Sequence, residues 1–390
     1  MKYFTLKTAV LFLTCVFLLL TAGCGKAADT VRLGEINGGD LDESQSYFSP
    51  DARAQVAKGE NGYYYMDSYG KYIKYYDIAS DDEIVLCSKA ECSHDNRECN
   101  AYLGGEYLYQ VYFYKGYLYL LNISKGNIEL VRCKADGSGR EALGELCESS
   151  DYNVSVVFLN DYVYFSKNQG EISDREREIC IYRMSLDKRE VETVYTYNGV
   201  NSAFIKLRGY GSNLYFTIMS VEADENGKFS RSGKGLFCYN SESGEVNKVI
   251  DESIYDYCID TDKGYIYYYV YGEGLYRAKD KIKEKVFEAT DQTGFCDLSY
   301  DGRFVYMENS SWSTFSPAFM KNDTEITKYI WIFDDGEEFK TIDVSGEHIL
   351  SIINGDSQYF FASRYDGMDC FNKDKFFGGG ILEWRGDKTE

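Results

Sequence analysis

Four residues able to hold a soft metal ion fall within one short stretch, LCSKAECSHDNRECNAYLGG: Cys87, Cys92, His94 and Cys99, spaced C-x4-C-x-H-x4-C. Three thiolates and an imidazole form a donor set suited to tetrahedral zinc. Cys92 and His94, two positions apart, project to the same side of an extended chain. The spacing matches no ordinary zinc finger or knuckle: Cys pairs two to four residues apart are usual there, but the His does not follow so closely as His94 follows Cys92. Outside a reducing compartment the same thiols have a second use, a disulfide that staples a loop costly to order. The segment therefore reads as a structural disulfide or a structural zinc site, with thiols of no special role as the remaining reading.

Catalytic patterns are thin elsewhere. There are 2 histidines, His94 and His348, and no G-x-S-x-G elbow, so a Ser-His-Asp hydrolase is not indicated. His348 falls on a strand and reads as packed or solvated. The run Asp224-Glu225-Asn226-Gly227 lacks the twelfth-position ligand of a calcium loop and reads as a hairpin tip. Gly378-Gly379-Gly380 precedes a strand rather than a helix, so it is not a phosphate cradle. Cys133, Cys180, Cys238, Cys258 and Cys296 read as small buried apolar residues.

What must position the Cys-His stretch is a repeated antiparallel sheet. Residues 110–146 read QVYFYKGYLYLLNISKGNIELVRCKADGSGREALGEL: two alternating runs about Lys115-Gly116, a third run, an Asp136-Gly137 turn and a fourth run. The hairpin tip and Tyr-rich strand recur as NGYYYMD, KGYLYLL, NDYVYFS, GSNLYFT, KGYIYYY, DGRFVYM and GDSQYFF. Their intervals of roughly 40 to 55 residues suit four strands plus variable loops. The expectation is an all-β chain, a β-propeller of four-stranded antiparallel blades. Seven blades are expected, with six or eight as alternatives. Repeat seven, with GILEWRGD as its third strand, lacks a fourth. A strand from the N-terminal side, VRLGEI at residues 31–36, is expected to complete it, because an open ring leaves sheet edges unpaired.

Within a blade the first-to-second and third-to-fourth turns share one face. The second-to-third loops and the connections between blades share the other. All the long insertions, at residues 166–178, 220–234, 309–328 and 364–377, fall on that second face. Binding is expected there, around the mouth of a central channel, with Trp312, Phe315 and Tyr365 as contacts.

The chain opens with Lys2 and Lys7, an apolar run AVLFLTCVFLLL, and LTAGC ending at Cys24. That is a secretory leader, too short and wrongly flanked for a membrane span. Residues 20–24 resemble the lipobox of bacterial lipoproteins, which implies that Cys24 becomes the acylated first residue. Two or more acyl chains suffice for stable anchoring. The LYR and IYR third strands and Asp-Gly turns resemble TolB-like and related β-propeller lipoproteins of Gram-positive bacteria, a family of unknown function, over nearly the whole mature chain. In that family similar Cys-Cys-His-Cys-Asn-Ala segments imply no catalytic role. The division that follows is a signal peptide at 1–23, a lipidated tether with a candidate closing strand at 24–50, and one propeller domain at 51–390.

Among 390 residues, 42 Lys plus Arg face 63 Asp plus Glu, a net charge of -21. Such an acidic surface argues against nucleic acid and against adhesion to anionic lipid. The expected partners are the membrane, through the lipid on Cys24, and a protein, peptide or glycan ligand; the expected state is a monomer. The location is extracytoplasmic, on the outer face of the cell membrane. A non-enzymatic interaction platform is the expected function. The alternative is an extracellular lyase- or glycosidase-type propeller enzyme using channel-lining carboxylates.

Overall fold

In a computed structural model the chain forms a ring of antiparallel sheets. The described residues are 56–67, 71–80, 82–149, 155–166, 176–200, 202–223, 229–280, 282–309, 329–343, 349–355, 359–364 and 368–377. They build six four-stranded sheets, spanning 56–85, 107–148, 155–200, 202–250, 256–288 and 296–343, and a three-stranded sheet at 349–372. Strands follow chain order within each sheet and all pairings are antiparallel. This is a β-propeller of meander blades.

Hairpin turns fix the registers. Two-residue turns that match the twist of their strands need left-handed backbone at both positions. Lys115 and Gly116 have φ of 48° and 78°, and Asp335 and Gly336 have 50° and 84°. Asn160 and Asp161, at 50° and 64°, do the same without glycine. Short polar side chains tolerate that region.

Seven apolar clusters fill the seams, one between each pair of neighbouring sheets. Tyrosine recurs in all of them, and Tyr63, Tyr164, Tyr215, Tyr257 and Tyr269 are fully buried. A buried phenol needs a partner. Tyr210 donates to Thr261 O (3.2 Å) in the next blade, and Tyr257 to Lys206 O in the preceding one.

The last repeat corrects the expected ring. Six four-stranded blades form, not seven, and the final sheet has three strands among the described residues. Its third strand is Met368–Asn372, within the stretch 364–377 read as a loop. That strand runs straight into a short helix, α1, at Lys373–Phe377. The helix is drawn onto the sixth blade: Lys373 is buried in an ion pair with Asp301, and Phe377 packs on Phe304 and Phe339 with ring centroids 5.2 and 5.5 Å away. No closing strand is established; residues 31–36 and the GILEWRGD stretch lie outside the described residues. Against the first blade the final sheet seals by packing, Phe361 on Tyr63 at 4.7 Å.

The insertion at 220–234 is likewise no free loop. Strands Asn213–Ala223 and Phe229–Asn240 extend it as a long hairpin, paired as far as Ala223 with Phe229.

Candidate metal centre

The first blade ends at strand Asp82–Val85, and the second begins at Tyr107–Tyr114. Between them residues 86–103 fold as a compact loop with both ends in the core, where Leu86, Ala101 and Leu103 are buried. Where the fourth strand leaves the sheet, the returning chain takes its place. Tyr102 bridges Tyr72, Ile73 N donates to Ala101 O (2.9 Å), and Leu103 N donates to Lys71 O (2.7 Å). The second blade holds the exit: the Arg140 guanidinium donates to Tyr102 O (2.7 Å) and to Asn100 O. Gly137, at φ +77°, lies so close that a Cβ there would stand 2.9 Å from Asn100 O.

Inside this loop Cys87, Cys92, His94 and Cys99 bring their donor atoms to one point, all within 4.8 Å of one another. His94 Nδ1 is 3.2 Å from Cys99 Sγ. Cys99 is buried and the other three are partly so. An extended chain does not achieve this. Glu91 and His94 adopt left-handed backbone, φ 60° and 56°, so the chain doubles back on either side of Cys92. Non-glycine residues hold such conformations at a cost of about 1–3 kcal/mol, and they concentrate where function demands a geometry. Local bonds support the turns: Asn96 Oδ1 accepts from Glu98 N (2.9 Å), and Asn96 O accepts from Cys99 N (3.1 Å).

The sulfurs sit in unlike fields. At Cys87 partial burial pushes the thiol up, but backbone N–H groups of Lys89 and Asn100 and the thiols of Cys99 and Cys92 outweigh it, bringing the group down to about 7. Burial dominates at Cys99, whose thiol is raised although the N–H groups of Ala101 and Tyr102 favour its anion. Each of these two sulfurs is thus met by main-chain donors, the arrangement that supports a bound thiolate. All four residues of the C-x4-C-x-H-x4-C pattern are brought together. The ten described cysteines are free thiols. Cys133 and Cys238 are buried, with burial pushing their thiols up to about 12 and about 11. Cys258 and Cys296 share one apolar cluster, as core residues do.

Cys24, Trp312, Phe315, Tyr365 and His348 lie outside the described residues. Two other clusters were not legible in the sequence. On the loop face, Tyr271 is 56% exposed and stacks on Phe295 (4.4 Å between centroids, 22° between planes), and Phe295 meets Tyr255 at 5.0 Å. At the centre of the ring, where first strands of neighbouring blades pack on one another, Lys206 of the fourth blade reaches Asp256 of the fifth and Asp297 of the sixth (3.1 Å). Arg208 donates to Leu298 O (3.0 Å), and Asp256 also accepts from Tyr257 N (2.7 Å) and Leu298 N (2.5 Å). Asp256 and Asp297 are thus engaged by the chain's own cations and amides. A β-bulge places Lys206, whose φ is +52° in a strand whose register shifts between Ile205 and Arg208.

No protein-family model matches the chain, and no curated protein matches it in sequence. Solved structures do resemble it. The β-propeller domain of the Trilobed protease from Pyrococcus furiosus is 11% identical, covers 86% of this chain and 94% of its own, and has a TM-score of 0.46. An acylaminoacyl peptidase from Pyrococcus horikoshii is 12% identical over 90% of this chain and 54% of its own, at 0.48. An oligogalacturonate lyase in complex with manganese is 10% identical over 85% and 88%, at 0.47. Likeness at this level extends to the general path of the chain and no further.

Proposed function

We propose that the protein is a lipid-anchored extracytoplasmic lipoprotein, tethered through Cys24, whose propeller serves as a non-enzymatic binding platform for a protein, peptide or glycan. The leader sequence supports the placement, since a basic start, an apolar run and a small-residue site before Cys24 are what export and lipidation use. One observation carries the binding reading: the exposed Tyr271–Phe295 stack on the loop face. Tyr271 comes from a second-to-third-strand turn, whereas Phe295 and Tyr255 precede first strands, so three connections converge there. Stacked, half-covered aromatics give large contact area at small ordering cost, which is why Tyr and Phe are favoured in recognition surfaces. The insertion bearing Trp312 and Phe315 leaves the sixth blade at Asn309, which pairs with Cys296, the neighbour of Phe295. The position of Trp312 and Phe315 in the chain, shortly after Asn309, supports testing them together with the Tyr271 stack.

The test uses soluble protein beginning after Cys24, screened on a printed glycan array and a displayed random-peptide library. Ligands of the platform bind wild type and lose at least about tenfold affinity, a little over 1 kcal/mol, on Tyr271→Ala or Trp312→Ala. Binders unaffected by either change would remove this face from the reading.

A further inference from the structure

We propose that Cys87, Cys92, His94 and Cys99 bind one zinc ion in a closed, four-coordinate structural site that locks the seam between the first two blades. The inference is independent of what the loop face binds. Its ground is convergence: four donor atoms from four separate positions point to one spot, within 4.8 Å of each other. A disulfide needs two sulfurs and leaves a third thiol and the imidazole without a part. A tetrahedral cation needs all four. With Zn–S near 2.3 Å and Zn–N near 2.0–2.1 Å, ligand atoms of such a site stand about 3.5–3.8 Å apart. Shifts of about 1 Å or less close the present arrangement onto an ion: the widest separations contract, and the 3.2 Å between His94 Nδ1 and Cys99 Sγ opens by a few tenths of an ångström.

The surroundings are those of a metal loop rather than a cross-linked one. Amide groups of Lys89 and Asn100 face Cys87, and those of Ala101 and Tyr102 face Cys99, in positions to donate to metal-bound thiolates. Left-handed backbone at Glu91 and His94 is a cost that a coordinated ion offsets. Soft sulfur donors with one imidazole select zinc over magnesium or calcium, which require oxygen ligands. With three sulfurs and one nitrogen the shell is complete and leaves no open position for water, so the ion's role is to hold structure. Binding releases the thiol protons to solvent and moves no electrons. A disulfide in its place would pass two electrons and two protons to an oxidant.

What the ion fastens follows from the loop's contacts. Its ends are packed in the first seam's core, its exit is gripped by Arg140, and Gly137 lies against Asn100. Coordination therefore couples the outermost strand of blade one to the outer turn of blade two.

The experiment is metal analysis of the whole soluble chain beginning after Cys24, purified with a phosphine reductant and without chelator, alongside cobalt substitution of chelator-stripped protein. About one equivalent of zinc is expected, falling below about a fifth of an equivalent in Cys92→Ser and in His94→Ala, while Cys180→Ser keeps the full equivalent. Cobalt should give the intense visible bands of tetrahedral thiolate coordination in stripped wild type. That measurement decides the matter even if a variant fails to fold. Three results overturn the proposal: less than about a tenth of an equivalent after zinc is supplied with no cobalt bands; zinc retained unchanged by both variants, an adventitious ion only; or reductant-free protein whose mass is two hydrogens low from a bond within the cluster and whose reduced form takes up no cobalt.

Discussion

The axial cluster of Lys206, Arg208, Asp256 and Asp297 and the rim cluster of Cys87, Cys92, His94 and Cys99 both fasten one blade to another, with opposite chemistry. On the axis the chain supplies both signs of charge. Lys206 is buried between two carboxylates of the next two blades, and Asp256 is fully enclosed. At the rim the chain supplies donors alone: three sulfurs and an imidazole gathered by a strained loop. The axial joint is complete as folded, while the rim cluster gathers donors of one kind only, the set on which the zinc proposal rests. Position explains the division. Buried charges must be neutralised before water leaves, and a lysine a strand away can do it. The rim loop is anchored in the core at its two ends, and its middle, between Lys89 and Glu98, would gain most from an ion that ties several residues at once.

The sharpest way to break this contrast is at the axis. Asp256→Ala leaves Lys206 buried beside a vacated partner and the Leu298 amide unmet, and should cost about 3–5 kcal/mol of unfolding free energy, read by denaturant titration. The double variant Asp256→Ala with Lys206→Met should recover much of that loss, since the buried ammonium, left with Asp297 as its one carboxylate, goes too. A single-variant cost under about 1 kcal/mol, or a double variant no better than the single, would show that the cluster does not join the blades.

A smaller effect is expected where the two blades grip the rim loop. Gly137→Ala puts a Cβ at left-handed φ and 2.9 Å from Asn100 O, a backbone atom that cannot step aside cheaply. The expected loss is about 2 kcal/mol, together with weaker zinc retention under chelator challenge. Gly116→Ala, left-handed as well but with open space around it, is the control: it pays the conformational cost without disturbing the loop. Equal metal retention in the two variants would uncouple the seam from the site.

Much of the fold was legible because strand alternation and turn chemistry are local. Lys115-Gly116 announced a two-residue turn, and its φ values are those of one. The four candidate donors were legible as a set, since residue type alone marks them. Their geometry was not: period-two reasoning put Cys92 and His94 on one side of a strand, whereas left-handed backbone at Glu91 and His94 does the aiming. The last repeat misled for a tertiary reason. Nothing local tells that Lys373 will be buried against Asp301 and carry the chain onto the sixth blade. The axial cluster had a faint signal in Lys206 and Arg208, charged residues two apart in FIKLRGY, a first strand, but the bulge that turns Lys206 toward its partners is invisible in sequence.

The finest test separates thiols within the rim from thiols in the core, in metal-stripped protein. Cys87 ionises at about 7 against an ordinary 9.0, whereas burial pushes Cys238 up to about 11. Iodoacetamide reacts with the thiolate, so labelling of Cys87, followed by peptide mass spectrometry, should rise through a midpoint near 7 while Cys238 stays unlabelled until the protein unfolds. The sign for stability follows from the same shift. A thiol that ionises more readily folded than unfolded favours the fold at pH above 9, and that contribution fades as the pH falls through 7. Saturating zinc should protect Cys87 across the whole range, because a coordinated thiolate is withheld from the reagent. A labelling midpoint near 9 would mean that the Lys89 and Asn100 amides do not stabilise the anion. The rim sulfurs would then be ordinary thiols that happen to be neighbours, and the contrast with the axial cluster would rest on geometry alone.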